Sequence, residues 1–176
     1  MWLTPNQPLW VSLAVCAVTG VATREDLRSR RIPNVVTGPA LLLGIAAHWV
    51  FGGNRAAVLA LGAAIVAGGI LVPGWLMRFM GAGDVKLMAA IGAWLGTPRS
   101  GLYAVLFSLV AGGIISVVVA ARRGILMRTV RDAALLLPKT AAGAMGTGLP
   151  PATSGVYVPK ALAFLAGSLF ALWGPI

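Results

Sequence analysis

Long uncharged apolar stretches, separated by short basic segments, restrict the fold of this chain more than any other feature. Of the 176 residues, 59% are apolar and only 10% are charged. A soluble domain of this size has too little interior to bury that share of apolar side chains. Disorder is excluded too, because disordered chains contain few Leu, Ile, Val and Phe. The composition therefore predicts an all-α polytopic membrane protein built as a single domain.

Six apolar segments are candidates for membrane-spanning helices, each of which needs about 20 residues. The predicted spans cover residues 9–23, 35–51, 56–77, 84–96, 102–121 and 156–173. In the third span we expect a break near Pro73 and Gly74. The lone cysteine, Cys16, lies in an apolar run and is expected to be a small core residue.

The distribution of Lys and Arg predicts the orientation, because cytoplasmic loops carry an excess of both. With the N-terminus outside, the inner segments 24–34, 78–86 and 122–160 contain twelve of the fourteen cations. The outer connections contain only Arg55 and Arg99. Since no cation precedes the first span, we expect a retained anchor rather than a cleaved signal peptide.

The net charge of +10 could also indicate a nucleic-acid partner. The cations lie in short runs between apolar stretches, so we expect contact with membrane lipid and none with nucleic acid. In the inner loop 122–157, Leu126, Val130 and Leu137 share one helical stripe, which is typical of a helix lying on the inner leaflet. Residues 138–154 are rich in Gly, Ala and Pro and predict a flexible connection, either a plain connector or a substrate gate.

The four acidic residues are the most informative, because ionisable groups at membrane depth are costly and tend to be functional. They are Glu25, Asp26, Asp84 and Asp132. Asp26 follows Leu9 by about 27 Å of helix, which places it near the inner boundary of a core about 30 Å thick. The fourth span is shorter, so Asp84 is expected to lie below the headgroups of the same leaflet.

Two glycines, Gly81 and Gly83, precede Asp84 and predict a tight, non-helical approach to it. Irregular backbone at this depth persists only against protein or a water-filled cavity. Asp84 could instead cap its own helix, with Lys86 nearby. A second Asp in the same leaflet favours the functional interpretation.

Two neighbouring carboxyl groups can hydrolyse a peptide bond with water alone. The ionised member accepts a proton from water while the protonated member polarises the scissile carbonyl. No metal or cofactor is expected. His48 is expected to pack in the core or form a hydrogen bond. A small proton- or cation-coupled transporter is the alternative, although transporters place their acids near the midplane. An inactive protein of an assembly machine is a third.

Two motifs resemble those of the prepilin peptidases, a family of GxGD intramembrane aspartyl proteases. The first is Asp-Leu-Arg-Ser-Arg-Arg-Ile-Pro-Asn at 26–34, and the second is Gly-Ala-Gly-Asp-Val-Lys-Leu at 81–87. The resemblance implies that Asp26 and Asp84 are the catalytic pair and that Gly81, Gly83 and Lys86 shape the site. It also implies removal of the basic leader of prepilins or pseudopilins at the cytoplasmic face of the bacterial inner membrane.

The larger members of that family carry two CxxC pairs in an N-terminal cytoplasmic region and methylate the new N-terminus. With a single cysteine, this chain resembles the short, peptidase-only type associated with Flp/Tad pili. Substrate-binding residues and the oligomeric state are not predicted. Glu25 is expected to be a surface charge that could contact a basic leader, and Asp132 a partner of Arg128.

Overall fold

The computed structural model describes residues 8–29, 33–77, 80–122, 124 and 160–173. Nearly all of these residues are helical and none of them lies in a strand, so the all-α prediction is confirmed. The helices are α1 (Leu9–Ser29), α2 (Asn34–Leu76), α3 (Ala82–Leu95), α4 (Pro98–Arg122) and α5 (Lys160–Trp173).

The chain divides into two compact units, Met1–Gly112 with Pro159–Ile176, and Gly113–Val158. The first unit contains α1, α2, α3, α5 and the first part of α4, together with every contact discussed below. The predicted inner-leaflet helix and the flexible connection 138–154 lie outside the described residues, as does Asp132. The single-domain organisation stays a prediction.

Two helices are long and apolar enough to cross a membrane, in the stretches Asn34–Leu76 and Pro98–Val119. Only 33% and 17% of their most apolar windows are buried, whereas the core helix of a soluble protein is mostly buried. Large apolar side chains such as Val35 and Phe51 are exposed, which would be costly in water over so wide a surface. The described residues thus contain two candidate membrane-spanning helices, which favour a membrane protein, while the six-span count and the outside N-terminus stay predictions.

Helix α2 reverses direction at Gly53, whose backbone is non-helical (φ 72°, ψ −172°). The two arms, residues 34–52 and 54–76, correspond to the second and third predicted spans, and the predicted outer connection contains the turn. Trp49 Nε1 donates a hydrogen bond to Asn54 Oδ1 across the turn, at 2.7 Å. This combination of φ and ψ is reached almost only by glycine.

Helix α3 packs against both arms of α2, on different faces. Along the first arm, Gly44 lies against Ala93 and Trp94, and the arm runs in the same direction as α3. Along the second arm, which runs in the opposite direction, Gly68 lies against Ala89. Small residues allow this close backbone approach, which is the usual basis of helix packing in membranes.

We expect Gly53→Ala to destabilise the protein by about 1–3 kcal/mol, because alanine cannot adopt this backbone conformation without strain. Gly69→Ala is the matched control, since Gly69 lies in the second arm and an added Cβ would meet nothing within 4 Å. The free energy of unfolding in mixed detergent micelles measures the difference. Equal stability of the two variants would contradict a turn that depends on glycine.

Two sequence expectations are wrong. The third predicted span does not break near Pro73, because α2 continues to Leu76 and the Met77 N–H bonds the Pro73 carbonyl at 2.9 Å. Proline keeps a helical φ and removes one hydrogen bond, which does not force the chain to turn. Cys16 is exposed rather than buried. In a membrane protein an apolar run does not distinguish the core from the surface facing lipid.

Candidate active site

The buried face of α1 ends at Asp26. Its members recur every three or four residues, which places them on one side of the helix. They are Val11, Val15, Thr19, Ala22, Thr23 and Asp26. The two threonines satisfy their hydroxyl groups locally, since Thr19 Oγ1 bonds the Val15 carbonyl at 2.6 Å and Thr23 Oγ1 bonds the Thr19 carbonyl at 2.7 Å. Asp26, 7% exposed, is the acidic end of this face.

The buried face of α3 begins at Asp84, which is 8% exposed. The residues that follow on the same face are apolar and completely buried. They are Leu87, Met88, Ile91 and Leu95. These side chains belong to one hydrophobic cluster with three buried residues of α1, Val11, Val15 and Ala22.

Helices α1 and α3 run in opposite directions. Trp10, in the first turn of α1, lies with its ring centroid 6.3 Å from that of Trp94, in the last turn of α3. The last turn of α1 and the first turn of α3 therefore both lie away from this aromatic contact, toward the other end. Asp26 and Asp84 lie at this end, which we call the acid end.

The carboxylate of Asp84 is held by the backbone at the start of its own helix. Gly81 is the N-cap residue, and its N–H donates a hydrogen bond to Asp84 Oδ2 at 3.2 Å. The Asp84 N–H donates to the Gly81 carbonyl at 3.1 Å. The capping alternative thus has a structural counterpart, although Asp84 is the third helical residue rather than the cap. A carboxylate has about four acceptor sites, so capping leaves room for other chemistry.

Gly81 is extended (φ −78°, ψ 152°), whereas Gly83 is already in the helix. The non-helical approach predicted for Asp84 is present, but of the two glycines only Gly81 belongs to it. Any residue can adopt these angles, and an added Cβ at Gly81 would meet Asp84 Oδ2 at an ordinary 3.9 Å. The conformation of the chain therefore does not require glycine at position 81.

A contact between distant parts of the sequence also lies at the acid end. Lys86 Nζ donates a hydrogen bond to Asn34 Oδ1 at 2.9 Å, across 52 positions of sequence. Both residues are exposed. Asn34 was not predicted as a site residue. It is the last residue of the first motif, and Lys86 belongs to the second motif. The spacing of the two motifs does not indicate that these residues are in contact.

Two other residues considered in the sequence analysis, Glu25 and His48, have different surroundings. Glu25 is partly exposed, and Arg24 Nη1 lies 3.8 Å from its Oε1. His48 Nδ1 lies 3.0 Å from the Gly44 carbonyl oxygen, so the predicted hydrogen bond is confirmed. Its ring lies 5.3 Å from that of Trp10, at the end opposite the acids.

A cavity of about 370 Å³ opens at that opposite end. Its lining is mainly apolar and aromatic and includes Trp10, His48, Phe51 and Leu95, but no carboxylate. It is therefore not the cavity with an acid at its edge that hydrolysis would use.

A sequence model of the Type IV leader peptidase family matches residues 13–117. The matched range includes Asp26 and Asp84, all of α2 and α3, and most of α1 and α4. No curated protein and no solved structure matches the chain.

Proposed function

Because the chain belongs to the Type IV leader peptidase family, we propose that it is a membrane-embedded aspartyl endopeptidase with Asp26 and Asp84 as its acid–base pair. Its substrates are type IV or Flp-type prepilins, or pseudopilins. It removes their short basic leader at the cytoplasmic face of the bacterial inner membrane.

The observation that carries this proposal is the selective burial of two acids at one end of the bundle. Asp26 and Asp84 are 7% and 8% exposed, on helices that run in opposite directions. The other acid among the described residues, Glu25, keeps 28% of its side chain exposed beside Arg24. Burying a carboxyl group costs free energy, so buried acids in a membrane protein tend to be functional. Two of them at one end are suited to acid–base catalysis.

In the proposed reaction a water oxygen attacks the scissile carbonyl carbon. The ionised carboxylate accepts a proton from that water, and the protonated carboxyl donates its proton to the carbonyl oxygen. When the tetrahedral intermediate collapses, the C–N bond breaks and the carboxyl group that took the proton from water gives it to the leaving nitrogen. The other carboxylate takes a proton back from a hydroxyl group of the intermediate, so the pair returns to its starting state. The products are a leader with a new carboxylate and a mature pilin with a new amine.

The distribution of cations supports a cytoplasmic location of the acid end. Arg24 and Arg28 lie in the last turns of α1, and Lys86 lies near the start of α3. Arg55 and Arg99 lie near the opposite end, beside the turn of α2 and at the start of α4. By the positive-inside rule the acid end faces the cytoplasm, where the basic leader of a prepilin also lies.

The experiment that tests this function is cleavage of a full-length Flp-type prepilin by the purified chain in lipid vesicles. We expect one internal cut between the basic leader and the apolar segment, identified by mass spectrometry of both products. A matched substrate whose leader Lys and Arg are replaced by Gln should be cut more slowly. An intact prepilin after prolonged incubation, together with proton uptake by the same vesicles, would contradict the peptidase and favour a transporter.

A further inference from the structure

We propose that the Asn34–Lys86 hydrogen bond is a positioning contact that holds the start of α3, which carries Asp84, against the start of α2. The bond joins the first residue of α2 to the fifth residue of α3 at 2.9 Å. This inference rests on the proposed peptidase function, because it assigns to two further residues the task of setting the geometry of that site.

Asn34 is closely tied to the end of α1. Only four residues separate it from Ser29, the last residue of α1. Pro33 precedes it in an extended conformation (φ −72°, ψ 144°), and the Pro33 carbonyl accepts the N–H of Val36 at 3.0 Å. Four residues can span only a limited distance, so a bond that anchors Asn34 also limits how far the last turn of α1, where Asp26 lies, can move from it.

Lys86 is likewise close to the other aspartate, because it lies two residues after Asp84 in α3. The hydrogen bonds between Asp84 and Gly81 hold the carboxylate to the start of this helix. A shift of the first turn of α3 would therefore carry the carboxylate with it. Lys86 fixes this turn from the face directed at the first arm of α2, which is a different face from the buried one that begins at Asp84.

Because both partners are exposed, loss of their hydrogen bond should alter the geometry of the site more than the free energy of unfolding. An exposed hydrogen bond is partly replaced by water when it is lost, so it contributes little to the free energy of unfolding. Deeper in the same helix pair, Gly44 packs against Ala93 and Trp94, and this packing is independent of the polar contact. Removing the bond should leave the bundle folded while loosening the acid end. A misplacement of about 1 Å can reduce turnover by about 100-fold.

The test compares kcat and KM for prepilin cleavage in variants of the two residues. We expect Asn34→Ala and Lys86→Met each to lower kcat by about 10- to 100-fold, with KM changed by less than about threefold. The double variant should be no slower than the slower single one, because both changes remove the same contact. Asn34→Asp and Lys86→Arg keep an acceptor and a donor, and they should retain activity within about threefold.

Asn54→Ala is the matched control, because it also removes an exposed side-chain hydrogen bond of α2, the one to Trp49, at the opposite end of the first arm. It should cleave prepilin at the original rate. Wild-type kcat in Asn34→Ala, or multiplicative effects in the double variant, would overturn the positioning role. An increase in KM alone for Lys86→Met would also overturn it, since Lys86 would then bind substrate. An inactive wild-type chain would instead contradict the proposed function itself.

Discussion

Asp84→Asn is expected to reduce prepilin cleavage by about 1,000-fold or more while leaving the chain folded. Asparagine is nearly isosteric, but it can neither take a proton from water nor return one. Its side-chain oxygen can still accept the hydrogen bond from the Gly81 N–H that Asp84 Oδ2 accepts at 3.2 Å. The variant therefore separates the catalytic role from the capping role. Initial rates in lipid vesicles, together with the unfolding curve of the same preparation, measure both.

Asp26→Asn is expected to cause a loss of similar size, because neither carboxyl group alone can act as both acid and base. Glu25→Gln provides a neighbouring control on the same turn of α1. Glu25 is partly exposed beside Arg24, so its neutralisation should lower the rate by no more than about threefold. Undiminished cleavage by either aspartate variant, or a complete loss in Glu25→Gln, would show that the pair is wrongly assigned.

Gly92→Val is expected to destabilise the bundle by about 3 kcal/mol, the upper part of the usual range for overpacking. A Cβ at position 92 would lie 2.5 Å from the Ala63 carbonyl oxygen and 2.8 Å from Ala67 Cβ. The first of these atoms is backbone and cannot rotate away, so α3 and the second arm of α2 would have to separate. Because α3 carries Asp84, cleavage should be lost as well.

Gly69→Val makes the same substitution on the other side of the second arm, where an added Cβ has nothing within 4 Å. This control should unfold close to the wild-type detergent concentration and should cleave prepilin. If the two valine variants unfolded at the same concentration, the close approach of α3 to the second arm would not be a determinant of stability.

The helices and the two acids could be predicted from sequence because both depend on local composition. The predicted start of the fourth span at 84 lies within two residues of the observed start of α3 at Ala82, and the predicted connection 52–55 contains the turn at Gly53. Asp26 and Asp84 could be identified because acids are rare in apolar sequence and because both lie in recognisable motifs. Their burial agrees with that interpretation, and their catalytic roles stay proposals.

Local composition could not predict features that depend on the tertiary structure around a residue. Cys16 was expected in the core, but an apolar residue of a membrane helix is compatible with either lipid or protein as its neighbour. Pro73 was expected to break α2, but the helix accommodates it close to its end. The Asn34–Lys86 bond joins residues 52 positions apart, and no local pattern encodes such a pairing.

The amino-acid sequence by itself determined that this protein is helical and membrane-embedded, because its apolar stretches leave the backbone no other way to satisfy its hydrogen bonds in lipid. It also determined which acids are available for chemistry. Only the tertiary structure decided that α1 and α3 run in opposite directions and place both aspartates at one end. Only the tertiary structure also decided the close packing of α3 on the second arm of α2, such as Gly92 against Ala63, because this complementarity between distant small residues exists only once the helices are assembled.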